Sequence, residues 1–94
     1  MQLSTPRSAA ALPLTPHARR RAHERSIPDA EIDVVRRFGK AVHANGRFRI
    51  TLDGVSRPLR VPAPLWLSAG SVVVVEARSG WVVTVYRRAP FQTR

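Results

Sequence analysis

The chain has 94 residues, with 16 lysines and arginines against 6 acids and a formal net charge of +10. That length supports one small domain, and the absence of cysteine excludes disulfides, thiolate zinc sites and cysteine nucleophiles. So large a basic surplus favours an anionic partner, either nucleic acid, an acidic protein or a membrane surface, and phosphates need no further specialisation of a basic domain.

The apolar run at 9–14 is interrupted by Pro13. It is too short to span a membrane and is a poor signal peptide. Residues 1–13 therefore read as a flexible tail of a cytoplasmic protein that does not engage a membrane. A single domain is expected over 14–89, with a short tail at 90–94.

Thr15 suits an N-cap and Pro16 the first helical position, so a helix is expected over 16–25. Pro28 ends it, by disfavouring the α conformation at Ile27, and opens a second helix. Asp29, Glu31 and Asp33 near the start of that helix and Arg36 and Arg37 near its end complement the helix dipole, and Gly39 stops it. Ile27, Ala30 or Glu31, Val34, Val35 and Phe38 form its buried stripe.

The period then changes from 3.6 to 2. A strand over 40–44 leads into Asn45-Gly46, a type I′ hairpin signal. Phe48, Ile50 and Leu52 should face the core, with Arg47, Arg49 and Thr51 opposite. A short strand is expected at 59–61. The segment 62–67 is ambiguous, its two prolines excluding a central strand. Residues 71–78 and 81–88 form the clearest hairpin, with Val83 and Val85 on one face and Thr84 and Tyr86 on the other. The fold class is α+β, with two N-terminal helices on one face of a four- to five-stranded antiparallel sheet.

The first helix carries the most chemistry. Residues 17, 21 and 25 are four apart and stack along one side, so His17, Arg21 and Arg25 form one ridge, and Ala18 and Ala22 a small-residue docking ridge beside it. His17 and His23 are six apart and point to different sides of a helix, which argues against a metal site. Metal-free RNA cleavage needs a proton acceptor, a proton donor and cations for the developing phosphorane charge. His17 could act as acid or base, Glu76 is a possible base, and Arg21, Arg25, Arg47 or Arg49 could hold the phosphate. Tyr86 or Thr84 could position an oxygen, or Tyr86 stack a base. Arg19, Arg20 and Arg88 complete the expected RNA-binding set. Against this stands the simpler reading of a solvated basic helix and a solvated strand face.

These residues carry a resemblance. His17-Ala18, Arg21, Glu24-Arg25 and Ile27, the second helix over 29–38, Asn45-Gly46-Arg47-Phe48-Arg49 and the closing Val82-Val83-Thr84-Val85-Tyr86-Arg87 together resemble the domain of unknown function 4258 family, over about residues 15–88. The chain departs from that family in a longer, proline-rich 61–70 segment, and in Ser26 where a glycine is usual. Such domains are grouped with small RelE/ParE-like and colicin- or barnase-like toxins, whose shared fold packs an N-terminal helical pair against a four-stranded antiparallel sheet. The resemblance implies a metal-independent endoribonuclease without cofactors, in a toxin–antitoxin or bacterial competition system. It points to His17 and Arg21 or Arg25 on the helix, and to Thr84 and Tyr86 on the last strand. An acidic antitoxin or immunity protein would be its partner. A non-catalytic nucleic-acid-binding or regulatory module, or a ParE-like toxin acting on a protein target, remain alternative readings of the same residues.

Overall fold

In a computed structural model that describes residues 12–88, the first helix, α1 (Pro16–Glu24), begins as its sequence dictates. The Thr15 hydroxyl accepts from the Ala18 backbone N–H at 3.1 Å, and Pro16 occupies the first turn. Ala18 and Ala22 are buried, so α1 docks through its alanine ridge. It ends in a Schellman turn, with Ile27 N–H bonded to the Ala22 carbonyl and Ser26 N–H to that of His23. The residue at the pivot of such a turn is left-handed, and Ser26 has φ +53°. Glycine adopts that conformation freely, whereas an L side chain is strained by about 1–2 kcal/mol. Ser26→Gly should therefore stabilise the chain by about 0.5–1 kcal/mol, the relief of strain less the extra chain entropy of glycine. Urea unfolding measures it, and an unchanged or lower midpoint would show that the turn is not strained.

Helix α2 (Asp29–Phe38) follows, with Glu31, Ile32, Val34 and Val35 buried. Ile32 is fully buried although it lies outside the expected stripe, and of the pair Ala30 and Glu31 it is the glutamate that turns inward. Gly39 joins α2 to β1 (Lys40–Ala44), which pairs antiparallel with β2 (Arg47–Thr51) through the Asn45-Gly46 turn. Both turn residues have positive φ, +54° and +78°, as a type I′ turn requires. Ile50 and Leu52 are buried as expected, while Phe48 is half-buried beside the His43 ring at 4.9 Å.

Residues 59–61 do not form the expected strand. They belong to the loop between β2 and a third helix, α3 (Ala63–Ala69). Pro62 is its N-cap and Pro64 lies in its first turn, where proline's missing N–H costs nothing. The prolines that exclude a central strand thus start a helix, which settles the ambiguous segment. Strands β3 (Val72–Ala77) and β4 (Val82–Arg87) complete a four-stranded antiparallel sheet of order β1-β2-β3-β4, with no fifth strand among the described residues.

The pairing of β3 with β4 contains a bulge. Thr84 pairs with Val75 but Val82 with Glu76, so Val83 has no partner. The extra residue resets the alternation, and Val82, not Val83, shares the buried face with Val85. The helices cover the face that carries Ile50, Val72, Val74 and Val85. The packed body also begins earlier than expected. Leu12 is buried, and the outer edge of β4 is closed at its first residue by Val82 N–H bonding to the Pro13 carbonyl and Thr15 N–H to the Val82 carbonyl. An exposed edge would otherwise offer those groups to another strand. The expected C-terminal tail at 90–94 lies outside the described residues.

Candidate nucleic-acid interface

All six carboxylates lie within 4.0 Å of an arginine: Asp29 with Arg19, Glu24 with Arg21, Glu76 with Arg36, Asp33 with Arg37, Glu31 with Arg87 and Asp53 with Arg88. The positive charge that remains is therefore localised. Among the described residues it sits on Arg25, Lys40, Arg47 and Arg49 at the sheet, on Arg57 and Arg60 in the loop before α3, and on Arg20 and Arg78.

Strand register gathers the first group. Val42 pairs with Arg49, Arg49 with Val75 and Val75 with Thr84, so these four share one row on the sheet face opposite the helices. Lys40 pairs with Thr51 and Tyr86 with Val73 on that same face. Arg47 and Arg49 are exposed, with no carboxylate partner. At a strand spacing of about 4.8 Å, Arg49 and Thr84 stand about 10 Å apart across the face.

At the β4 edge, a groove of 610 Å³ is lined by Arg25, Thr84, Tyr86 and Arg87. Arg25, the residue that caps α1, donates Nη1 to the Val85 carbonyl at 2.8 Å. One bond fixes the guanidinium and leaves its other donors for a ligand, an arrangement suited to a phosphate. Arg87 is committed elsewhere, to Glu31, the Ser26 and Ser68 carbonyls and the Ser71 hydroxyl.

The expected helical ridge divides. Arg25 reaches β4, whereas Arg21 turns along the helix to Glu24 at 2.6 Å and holds that carboxyl below its ordinary range by donating a hydrogen bond to it. His17 is exposed and is absent from the residues that line the groove with Thr84 and Tyr86. Arg19 and Arg20 are also exposed, on the flank of α1 that bears His23.

Arg88 differs most from its expected role. Both of its terminal nitrogens bond the Asp53 carboxylate, at 2.6 and 2.8 Å, and Nη2 also reaches the Gly70 carbonyl at 2.7 Å. The pair links the end of β4 to the loop after β2 and so spans β3 between them. The hydrogen bonds from Arg88 hold the Asp53 carboxyl below its ordinary range, and the same contact raises Arg88 further. Arg88 is thus a structural clamp with little left to offer a phosphate.

Sequence reading did not find Glu31 as a buried polar centre. Its Oε2 accepts from the Ser68 hydroxyl, and its Oε1 faces Arg87 Nη2 at 2.9 Å, off the line of an ideal hydrogen bond. A glutamate inside an apolar stripe was the available signal. No group of three metal-ligating side chains comes together among the described residues, and none of their helices is long and apolar enough to cross a membrane.

The chain matches no protein-family model, no curated protein and no solved structure.

Proposed function

We propose that this chain is a cytoplasmic RNA-binding module that holds a single strand across the sheet face opposite its helices. The distribution of charge carries the reading. The sheet face opposite the described helices bears Lys40, Arg47 and Arg49 without carboxylate partners, and Arg25 stands fixed at its edge. Cations that track a backbone, beside an aromatic ring on which a base can stack, are what a single strand needs. Tyr86 supplies that ring on the same face. Helix-face residues such as Arg36 and Arg87 contribute nothing to it, since their charge is already neutralised.

Affinity for a single-stranded RNA should fall with salt between about 50 and 200 mM, with a log–log slope near −0.7 per phosphate neutralised. Arg47→Ala with Arg49→Ala should weaken binding at least tenfold and reduce the slope by about 1.4. Fluorescence anisotropy against salt is the measurement. Binding insensitive to salt, or equally weakened by Arg20→Ala with Arg57→Ala, would remove the sheet face as the interface.

The toxin reading implied by the family resemblance draws support from one observation. Arg25, Thr84 and Tyr86, three residues of the expected ribonuclease set, line a single groove. Charge stabilisation is available there, but its lining holds no histidine or carboxylate for proton transfer, and His17 would have to act from outside it. Induced expression of wild type beside His17→Ala, with growth and total RNA followed, separates the readings. RNA loss that His17→Ala abolishes supports cleavage. Growth arrest with intact RNA points to a ParE-like protein target, and harmless expression with intact RNA leaves binding alone. Rescue by a co-expressed acidic neighbour-gene product would identify an antitoxin.

A further inference from the structure

We infer that the groove between α2 and α3 is a self-complementary surface on which a second copy of this chain docks. The groove has a volume of 380 Å³, and it is floored by Val34, Phe38 and Leu65 and rimmed by Asp29, Asp33, Arg37 and Arg60. None of these residues belongs to the open sheet face.

Two observations select the occupant. The first is the order of charge. Asp29, Asp33 and Arg37 are four apart and form one row along α2, with both acids towards its start and the arginine towards its end. Arg60 lies at that same end, its guanidinium 5.2 Å from the centre of the Phe38 ring and without a carboxylate partner. A twofold axis across α2 sets two such rows antiparallel, so that Asp33 meets Arg37 of the second copy and Asp29 meets its Arg60. A twofold interface requires this relation, because residue i must meet j while j meets i. A purely acidic partner would be drawn to the one-sign surfaces elsewhere on a +10 chain; this rim carries both signs.

The second is how loosely these acids are held. Four of the six ion pairs close at 2.5–2.9 Å, but Asp33–Arg37 stands at 3.6 Å and Asp29–Arg19 at 4.0 Å. Exposed pairs at such distances contribute little, so these two carboxylates can be given to another chain. Leu59, next to Arg60 and 94 % exposed, adds apolar surface beside the rim. Docking through the helix layer leaves both basic sheet faces uncovered and makes the assembly bivalent for RNA.

Sedimentation velocity on the RNA-free full chain over the micromolar range tests this. Wild type should show a reversible monomer–dimer equilibrium. Asp33→Arg and Arg37→Asp should each weaken self-association about tenfold or more, through like charges brought face to face. Mixed in equal amounts they should associate as wild type does, because one chain then presents only cations in the row at 33 and 37 and the other only anions. Circular dichroism confirms that each variant is folded. A wild type that stays monomeric throughout, a dimer indifferent to both substitutions, or a mixture no better than its separate components would each overturn the inference.

Discussion

Replacing Arg87 by alanine should destabilise the chain by about 3 kcal/mol or more, the cost of leaving a buried charge without its partner. The Glu31 side chain is only 8 % exposed, and Arg87 Nη2 stands 2.9 Å from its Oε1. The remaining contact, from the Ser68 hydroxyl to Oε2, is neutral and cannot compensate the charge. Arg87 also donates to the Ser26 carbonyl after α1, the Ser68 carbonyl on α3 and the Ser71 hydroxyl before β3, so one side chain ties four segments to β4.

Domains of this size are stable by about 5–15 kcal/mol in all, so the loss would be conspicuous in urea unfolding followed by circular dichroism. Adding Glu31→Leu should recover most of it, since the uncompensated charge is then gone. An Arg87→Ala variant as stable as wild type at pH 7 would show that the pair is not needed.

Gly39→Ala should also destabilise severely, by about 2–3 kcal/mol, the penalty for forcing volume into a filled site. The backbone of Gly39, at φ −76° and ψ 168°, is ordinary for any residue, so conformation is not the obstacle. Space is. A β-carbon there would lie 2.5 Å from the Val35 carbonyl oxygen, 2.7 Å from that of Thr51 and 2.8 Å from Ile50 Cγ2. Two of these are backbone atoms, so either the last turn of α2 or the end of β2 must shift. Gly46→Ala makes the contrast. Nothing lies within 4 Å of its β-position, but φ is +78°, so its cost is left-handed strain of about 1–2 kcal/mol. Urea midpoints of the two variants separate crowding from strain. A Gly39→Ala change below about 0.5 kcal/mol, the range of an ordinary surface substitution, would mean that the junction is loosely packed.

Local signals were legible wherever the deciding interaction is short-range. Thr15 caps its helix three residues on, Asn45-Gly46 turns its hairpin, and Ala18 and Ala22 dock α1. Prolines 62 and 64 excluded a central strand but left the segment ambiguous, because proline both breaks and starts helices and only the register of the turn distinguishes the two. The bulge at Val83 moved a buried position by one residue, and no pattern within β4 announces it, since the mismatch exists only against β3. Of the expected site residues, Arg25, Thr84 and Tyr86 line one groove. Arg88 misled because its carboxylate partner lies 35 positions away.

Composition and spacing thus determined an α+β chain with a large cationic surplus, two amphipathic helices and strands whose basic residues alternate with apolar ones, because each depends on neighbours within a few residues. Which cations remain available was decided mainly by the tertiary structure, since four of the six ion pairs join separate segments and only Arg21–Glu24 and Asp33–Arg37 lie within one helix. Glu76 neutralises Arg36 across 40 positions and Asp53 neutralises Arg88 across 35, contacts that exist only once the sheet order and the packing of α2 upon it are set. The +10 charge belongs to the sequence; that Lys40, Arg47 and Arg49 stand without carboxylate partners on the sheet face opposite the helices follows from chain topology, which pairs each acid with an arginine elsewhere.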